Sequence, residues 1–486
     1  MEQLKLAKHQ RFCSSSEQTP PEQLSLFNEA EEASDFAAPE PELKEIKAYV
    51  RRKAGQVGLD RLPEDLPVEV IEHDLPADQK NCPDCGNSLH VMGREEREEL
   101  KFVPAKAVIV RHVSHTYACR HCEKHSDHVP MVKTPMPAPV IKGSFASPEA
   151  IAHIAYEKFV MGAPLYRQEQ DWERKGIPLS RQTMANWLIR ATNDWLMPVY
   201  SRLKELLLEH QVLHGDETVL QVLHEEGKTA VQKSYMWVYR TGCEAKRHIV
   251  IFEYQPDRKA IHPVEFLEKF EGYLHADGYS GYHNLKKEIT VVGCWAHARR
   301  KFFDIIKTMS KEKRAGTQAM RGVQYCDLLF KLEEEYAKLP PDNNFKARYE
   351  ARLEKSKPVL EEFYAWCKSL DIMPKSGMGK AVSYAQDQRF WLEHFLLDGR
   401  LEISNNRAEN AIRPFVCGRK NWLFANSVKG AKASAVLYSL VETAKANGIN
   451  PYDYLTLVLK TAPNCDDFSH DKAVIDRLLP FGLYLA

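Results

Sequence analysis

Two pairs of cysteines have the spacing of a metal site. Cys82 and Cys85 form one CxxC pair, and Cys119 and Cys122 form a second pair 33 residues later. Each tight CxxC turn lets two thiolates face one cation, and four thiolates suit the tetrahedral coordination of structural zinc. Unrelated free thiols and a redox pair are the alternatives, and no thioredoxin-like βαβ pattern supports the redox role. The cysteines therefore predict one structural Zn²⁺ ion without an open coordination position.

Three carboxylates further along the chain have the types and order of a second metal site. Asp216 in LHGDETVL and Asp277 in LHADGYSGY share a Leu-His-small-Asp pattern, and we expect each at the end of a strand. Carboxylates that are held close together repel one another unless a cation lies between them. Mg²⁺ is a hard cation that prefers such oxygen ligands. Glu409 in ISNNRAENAIRP is the candidate third acid, on a helix that Ser404 or Asn405 would cap.

Two neighbours of Glu409 add expectations about this helix. Arg413 lies four residues after Glu409, which is the spacing of an ordinary ion pair on a helix. Pro414 follows, and proline disfavours the helical conformation of the residue before it. We therefore expect the helix to be disturbed near this point.

The elements around the two aspartates have the order of a ribonuclease-H-like sheet. Three strands, a helix and two further strands are predicted, in this order: 211–223, 233–242, 247–255, 260–270, 272–281 and 289–296. In such a sheet the first and fourth strands are neighbours, which would bring Asp216 and Asp277 together. Residues 300–400 are rich in Lys, Glu and Leu, which predicts a helical insertion.

These patterns predict a multidomain α+β protein. The predicted parts are an acidic, partly disordered arm at 1–50, a zinc-ribbon-like domain at 66–130, a helix-turn-helix at 145–210, a ribonuclease-H-like α/β catalytic core at 211–425 with a helical insertion at about 300–400, and a C-terminal helical segment at 430–486. Within the second of these, VIVRHVSHTYAC at 108–119 alternates as a strand does.

The helix-turn-helix prediction rests on capping signals and short joints. Ser147 and Pro148 begin one helix, Gly176 ends a second, and Ser180 begins a third. The start of the third helix is the candidate base-reading surface, because Arg, Gln and Asn side chains suit the edges of bases. The residues there are Arg181, Gln182 and Asn186, whereas Trp187 and Leu188 are expected in the core.

The net charge of the whole chain is zero, but individual segments carry a strong excess of one sign. The 67 basic and 67 acidic residues cancel, yet residues 286–321 hold ten basic and three acidic side chains. Residues 401–435 hold six basic and two acidic side chains, whereas residues 1–50 hold five and ten. The neutral total therefore does not exclude DNA as a substrate.

No window approaches the roughly 18 apolar residues of a membrane span, and no signal peptide is visible, so a cytoplasmic location is expected.

The longer motifs resemble one family of bacterial transposases. The segments SSSEQTPPEQLSLFNEAE, HGDETVLQV, HADGYSGY, GCWAHARRKFFD and ISNNRAENAIRPFVCGRKNWLFA, together with the two CxxC pairs, are similar to the insertion sequence 66 family. That family belongs to the DDE class, whose catalytic core is ribonuclease-H-like. The resemblance places the catalytic triad on Asp216, Asp277 and Glu409.

The resemblance also implies a reaction and its partners. Two Mg²⁺ or Mn²⁺ ions on the triad would support cleavage at the ends of the element and transfer of the 3′-hydroxyl ends to target DNA. The expected partners are double-stranded DNA of the transposon ends and the target, further copies of the chain in a synaptic complex, and accessory proteins of the same element. The expected place of action is the bacterial nucleoid.

Basic residues near the triad are expected to contact DNA phosphates. They follow the fifth strand or surround Glu409, and they are His297, Arg299, Arg300, Arg407, Arg413, Arg419 and Lys420.

One departure from the family concerns the N-terminus. Family members carry a leucine-zipper-like helix before the SSE stretch, whereas about twelve residues precede it here and Cys13 replaces the usual glycine. This difference predicts a shortened N-terminal element. Two other functions use the same features: a zinc-ribbon and helix-turn-helix DNA-binding protein with an inactive or domesticated core, and a hydrolytic nuclease without strand transfer.

Overall fold

The computed structural model describes residues 70, 106–125, 128, 131–307, 309–339 and 344–481. The chain divides into two compact units, one of residues 16–115 and one that contains residues 116–486. The sheet and helices that hold the predicted carboxylates all belong to the second unit. The N-terminal arm, Cys82, Cys85 and the side chain of Cys122 lie outside the described residues.

A six-stranded mixed sheet carries two of the three predicted acids. The described strands are β1 Thr116–Ala118, β2 Met131–Lys133, β3 Val212–His224, β4 Lys233–Thr241, β5 Val250–Gln255, β6 Gly272–His275, β7 Ile289–Val292 and β8 Ala425–Ser427. The order in the large sheet is β5-β4-β3-β6-β7, and β8 pairs with the far end of β3. β4 is antiparallel to β3 and β5, whereas β6 runs parallel to β3 and β7. The first strand of this sheet thus lies beside the fourth, as its order along the chain predicts.

The register between β3 and β6 sets the two aspartates side by side. His214 pairs with His275, and their rings stack with centroids 4.3 Å apart. Asp216 and Asp277 each follow two residues after this pair. The prediction that Asp216 ends its strand is wrong, because β3 continues to His224 through pairing with β4 and β8. Asp216 instead lies where the partner strand β6 has ended.

Helices cover the sheet and form the region after it. The described helices are α1 Arg120–His125, α2 Pro148–Phe159, α3 Leu165–Arg174, α4 Arg181–Ala191, α5 Met197–Leu208, α6 Ile261–Phe266, α7 Trp295–Ile306, α8 Lys311–Arg314, α9 Gln318–Tyr336, α10 Asn344–Ala351, α11 Lys357–Ser369, α12 Gly377–Asp387, α13 Arg389–Glu393, α14 Asn406–Trp422, α15 Val428–Ala446, α16 Pro451–Thr461 and α17 Lys472–Arg477. One π-helical turn, Thr192–Leu196, joins α4 to α5, and another, Arg352–Ser356, joins α10 to α11. Of the helices described, none has the length and apolar character to cross a membrane.

The capping signals in the sequence begin helices as expected. Ser147 accepts a hydrogen bond from the Ala150 N–H at the start of α2, and Ser180 accepts one from the Thr183 N–H at the start of α4. Trp187 and Leu188 are buried, as predicted. The long alternating strand predicted at 108–119 is wrong, because 108–115 have no regular secondary structure and only β1 pairs, with β2.

The hydrophobic residues form two cores in this unit. One joins the sheet with α2, α4, α5 and the C-terminal helices α14 to α16. The other lies among α7, α9, α11 and α12, with Trp295, Phe302 and Phe363 at less than 1% exposure. The predicted helical insertion is thus helical and has a core of its own, which holds α7 beside the sheet.

Helix α14 runs further than the sequence predicts. It contains Pro414 in its interior and continues to Trp422. Proline removes one helical hydrogen bond. Buried side chains on both sides of the proline anchor the two halves of the helix in the first core. They are Ala411 and Ile412 before it and Phe415 and Val416 after it. Packing of this apolar face outweighs the tendency of Pro414 to interrupt the helix.

Candidate active site

Asp216 occupies the centre of a cluster of negative charge. Its Oδ1 atom accepts a 2.8 Å hydrogen bond from the backbone N–H of Glu217. Burial of the carboxyl group, followed by the negative charges of Glu217, Asp277 and Glu409, raises the pKa of Asp216 well above its ordinary value. The charges of Asp277 and Glu409, the other two acids expected from the sequence, therefore reach Asp216 through space. A cation placed among them would relieve this repulsion.

Asp277 is fixed by the loop that follows β6. Its Oδ1 atom accepts a 2.9 Å hydrogen bond from the backbone N–H of Tyr279. Gly278, between them, lies so close to α12 that an added Cβ atom would be 2.9 Å from the Tyr384 hydroxyl oxygen. A larger residue at this position would require the Tyr384 side chain or the loop to shift. The helical insertion thus packs closely against the loop that carries Asp277.

Glu409 lies in the first turn of α14 and faces the first turn of α7. Its Oε2 atom accepts a 3.3 Å hydrogen bond from Arg300 Nη2, and its Oε1 atom lies 3.6 Å from His297 Nδ1. Glu409 Oε1 and His297 Nδ1 are both buried and neither has a hydrogen-bond partner. The ion pair with Arg413 that the helical spacing predicts does not form; Arg300 and His297 are the partners instead.

Asn405 ties together the segments that carry these acids. The structure places it at the N-cap of α14 without a capping side-chain bond, contrary to the cap expected from the sequence. Its Nδ2 atom donates to the Gly215 carbonyl oxygen at 2.7 Å, and its Oδ1 atom lies 3.1 Å from His214 Nδ1. Its backbone N–H donates to Cys294 Sγ at 3.2 Å. One residue with 1% exposure therefore connects β3, α14 and the segment that leads into α7.

A buried polar layer lies next to Asn405. His214 Nε2 is 2.9 Å from Glu402 Oε2, and Arg407 Nε donates to the same oxygen at 2.6 Å. Burial alone would raise the pKa of Glu402, but His214 and Arg407 together hold it at about 2. The Glu402 N–H also faces His275 Nε2 at 3.3 Å. The histidines of the two Leu-His-small-Asp patterns thus support the site rather than facing a substrate.

Glu217 and Arg258 are site residues that the sequence analysis missed. Glu217 accepts a 2.7 Å hydrogen bond from Arg258 Nε and a 2.9 Å hydrogen bond from the Tyr282 hydroxyl. Arg258 also lies 4.0 Å from Asp277 Oδ2 and 4.1 Å from the centre of the Tyr279 ring. Burial and the charge of Asp277 raise the pKa of Glu217, and Arg258 and the Tyr282 hydroxyl offset only part of this rise. Asp216, its neighbour, has no ion-pair partner within 4.0 Å among the described residues. The acidic GDET string was the available signal for Glu217, whereas no spacing marks Arg258.

The predicted DNA contacts fall into three groups. Arg181, Gln182 and Asn186 are exposed on α4, and Lys420 is exposed on α14. His297 and Arg300 face Glu409, while Arg413 is half-buried. The remaining three are engaged within the protein: Arg299 pairs with Asp327 at 2.5 Å, Arg407 with Glu402, and Arg419 donates to the Thr218 hydroxyl at 3.0 Å. Arg407 and Arg419 therefore brace α14 against the residues that flank the site.

The donor set at the triad fits a hard divalent cation. All three side chains offer carboxylate oxygens, and Glu409 Oε1 is buried without a hydrogen-bond partner. Mg²⁺ and Mn²⁺ accept such ligands. Of the four predicted zinc ligands, only Cys119 has a described side chain, and it is exposed. The predicted zinc site otherwise lies outside the described residues.

Family models match nearly all of the chain. The model described as Transposase IS66 family matches residues 143–433. The zinc-finger binding domain of transposase IS66 matches residues 79–123, a range that contains all four paired cysteines. The IS66 C-terminal element matches residues 439–481, and a model described as Transposase C of IS166 homeodomain matches residues 1–71.

Relatives of similar length occur in Sinorhizobium fredii. The uncharacterized protein y4qI is 32% identical over 471 residues, which cover 91% of this chain and 82% of that protein. The uncharacterized protein y4hP is 31% identical over 82% of this chain and 72% of its own length. The uncharacterized protein y4jD is 30% identical over 84% of this chain and 79% of its own length.

Proposed function

The chain belongs to the IS66 family of transposases, and on this premise we propose that it cuts DNA at the ends of an insertion sequence and joins the 3′-hydroxyl ends to target DNA by DDE chemistry. The observation that carries the proposal is the pairing of β3 with β6, which sets Asp216 beside Asp277, with Glu409 near enough for its charge to raise the pKa of Asp216. The strand order β5-β4-β3-β6-β7 supports a ribonuclease-H-like core for this chemistry.

The three carboxylates would hold two Mg²⁺ or Mn²⁺ ions. Such a pair activates the attacking oxygen, from water in cleavage and from a 3′-hydroxyl in strand transfer, and stabilises the departing oxygen. Asp216, whose pKa is raised by the charges of both other acids, would be one of the ligands. Arg258, beside Asp277, and Arg300, beside Glu409, are placed to balance the charge of the triad and of an approaching phosphate.

The rest of the chain would position the DNA. The exposed side chains of Arg181, Gln182 and Asn186 lie on the first two turns of α4, where they would meet base edges at the element's ends. The match of residues 79–123 with the family's zinc-finger domain supports one structural Zn²⁺ held by Cys82, Cys85, Cys119 and Cys122. Joining two ends requires that they meet, so the active assembly would contain at least two copies of the chain on nucleoid DNA.

Amide substitutions test the assignment of the acids. We expect Asp216→Asn, Asp277→Asn and Glu409→Gln each to reduce cleavage of terminal-repeat DNA by at least about a thousandfold, because the loss of one carboxylate disrupts both metal positions. Binding of the same DNA should persist. The matched control is Glu253→Gln, whose carboxylate pairs with Lys204 at 3.0 Å on β5, and it should cut at the normal rate. If all three amide variants still cut, the site is assigned wrongly.

A second assay separates transposition from simple hydrolysis. The wild-type protein is given a pre-cleaved end and a supercoiled target in Mg²⁺ or Mn²⁺. Joined products support strand transfer, whereas cutting without joining identifies a hydrolytic nuclease. Binding without either activity would identify a DNA-binding protein with an inactive core.

A further inference from the structure

A second group of metal-binding side chains adjoins the triad. One ligand atom from each of Cys294, His297 and Glu409 lies within 4.8 Å of the other two. Cys294 immediately precedes α7, His297 lies in its first turn, and Glu409 faces them from α14. Asp216 and Asp277 are not part of this group.

The nitrogen and oxygen atoms of this group have the spacing of two ligands of one metal ion. His297 Nδ1 and Glu409 Oε1 are 3.6 Å apart, which is too far for a good hydrogen bond, and neither has another partner. Nitrogen and oxygen ligands about 2.0–2.2 Å from a tetrahedral metal are roughly 3.3–3.5 Å apart. A small movement would therefore place both atoms on one ion.

The environment of Cys294 suits a metal-bound sulfur. The side chain has 1% exposure, and its Sγ atom accepts a 3.2 Å hydrogen bond from the Asn405 N–H. A backbone N–H directed at the sulfur stabilises a thiolate once a metal has displaced its proton. Sulfur, nitrogen and oxygen together form a donor set for Zn²⁺ or Co²⁺, whereas Mg²⁺ prefers oxygen alone.

We propose that Cys294, His297 and Glu409 form a binding site for Zn²⁺ that shares Glu409 with the catalytic triad. Occupation of this site withdraws Glu409 from the triad, so Zn²⁺ inhibits DNA cleavage in competition with Mg²⁺. The inhibition rests on the proposed function, whereas the binding of the metal does not.

Cobalt tests the binding directly. Purified full-length protein, with zinc retained in its cysteine pairs, is titrated with Co²⁺, and thiolate-to-cobalt absorption is recorded. We expect an absorption that Cys294→Ser and His297→Asn abolish or weaken at least about tenfold in affinity. Cys326→Ser is the matched control, because this thiol is fully buried in the second core, and it should bind as wild type does. Asp216→Asn should also retain the absorption, which separates this site from the triad.

The same proteins test the inhibition. At a fixed Mg²⁺ concentration, half-inhibition of Cys294→Ser should need at least about tenfold more Zn²⁺ than half-inhibition of the wild type. Equal cobalt absorption in wild type and both site variants overturns the proposal and leaves an ordinary ion pair between His297 and Glu409. If cobalt binds as expected but Mg²⁺ supports no cleavage, the proposed function fails while the metal site stands.

Discussion

Two clusters of charge in this protein differ in how completely they are compensated. In the helical insertion, Arg352 has less than 1% exposure and donates to both oxygens of Glu333 at 2.7 Å. Its other donors reach the carbonyl oxygens of Phe395, Asp398 and Leu401 at 2.7–3.0 Å. All five N–H groups of the guanidinium are thus used. Arg348 adds a second cation at 3.0 Å from Glu333.

The triad shows the opposite arrangement. In the part of the chain that the structure describes, Asp216 has no ion-pair partner within 4.0 Å, while three carboxylates surround it. Arg258 pairs with Glu217 and lies 4.0 Å from Asp277, Arg300 pairs with Glu409, and their side chains are 41% and 54% exposed. The same residue types therefore build a brace in which every charge is paired, and a cluster in which Asp216 has no ion-pair partner among the described residues. Compensation, rather than the presence of charge, distinguishes the two regions.

Removal of Arg352 should have the largest effect on stability. Arg352→Met leaves Glu333 buried and three carbonyl oxygens without their donor. We expect the free energy of unfolding to fall by about 3–5 kcal/mol, which is the usual cost of removing one partner of a buried ion pair. Urea unfolding, followed by intrinsic fluorescence, gives the change. A fall in the free energy of unfolding of less than about 1 kcal/mol would contradict the view that the Arg352 cluster is a fully compensated brace.

An exposed pair in the same insertion provides the control. Lys346 and Glu350 lie 4.0 Å apart on α10, and their side chains are 73% and 64% exposed. Lys346→Met should change stability by less than about 1 kcal/mol, because water screens such a pair.

Asn405 should affect catalysis more than stability. Asn405→Ala removes its hydrogen bonds to Gly215 and His214, which are the links between the start of α14 and β3 beside Asp216. We expect the cleavage rate at saturating DNA to fall about ten- to hundredfold, as for other residues that orient metal ligands. The Mg²⁺ concentration for half-maximal rate should rise, and the Kd for terminal DNA should stay constant.

Asn447 is the matched control for this change. Its side chain makes three hydrogen bonds, at 2.7–3.0 Å to His248 and at 2.8 Å to the Thr443 carbonyl oxygen, but it lies at the other end of α15 from β8. Asn447→Ala should lower stability without changing the Mg²⁺ requirement. An equal loss of activity in both variants would mean that Asn405 acts through folding alone.

The sequence predicts more of the sheet than of the site. The repeated Leu-His-small-Asp pattern and the strand order were enough to place Asp216 beside Asp277, because strand pairing converts equal spacing from His214 and His275 into adjacency. The extent of β3 was predicted closely, as 211–223 against Val212–His224, but the pairing of its end with β8 was not predicted. Local pattern carries no information about such a partner.

The roles of Asn405 and Arg258 at the site were missed for the same reason, because their partners are distant in sequence. Asn405 resembles a helix cap in sequence, yet its side chain binds Gly215, 190 residues away. Arg258 lies in a short loop after β5, and only the fold brings it to Glu217 and Asp277. The continuation of α14 through Pro414 likewise depends on buried neighbours rather than on local preference. The two aspartates stood out by their repeated pattern and strand order, and resemblance to a family joined Glu409 to them as one triad.

Asp216→Asn should change the free energy of unfolding least among these variants. Whether it stabilises or destabilises the protein tests directly whether the charge of Asp216 is unpaired. Folding raises the pKa of Asp216 above 3.8, so the folded protein binds this proton more tightly than the unfolded chain. Stability is therefore lost as the pH rises from about 4 towards the folded pKa, and Asp216→Asn escapes the loss. In Mg²⁺-free buffer, the variant should be more stable than wild type near neutral pH, and the gain should vanish near pH 4. Urea midpoints across this range measure it.

Asp398→Asn should change the stability in the opposite direction to Asp216→Asn. Burial alone would raise the pKa of Asp398, but hydrogen bonds from Arg400, including one of 2.7 Å, hold it below 3.8. Its ionised form therefore stabilises the fold at neutral pH, and this contribution is lost as the pH falls through the folded pKa. Asp398→Asn should destabilise the protein near neutral pH, where Asp216→Asn stabilises it. Equal signs for the two variants would mean that the charge of Asp216 is compensated after all, and that the triad holds no unpaired charge for a cation to balance.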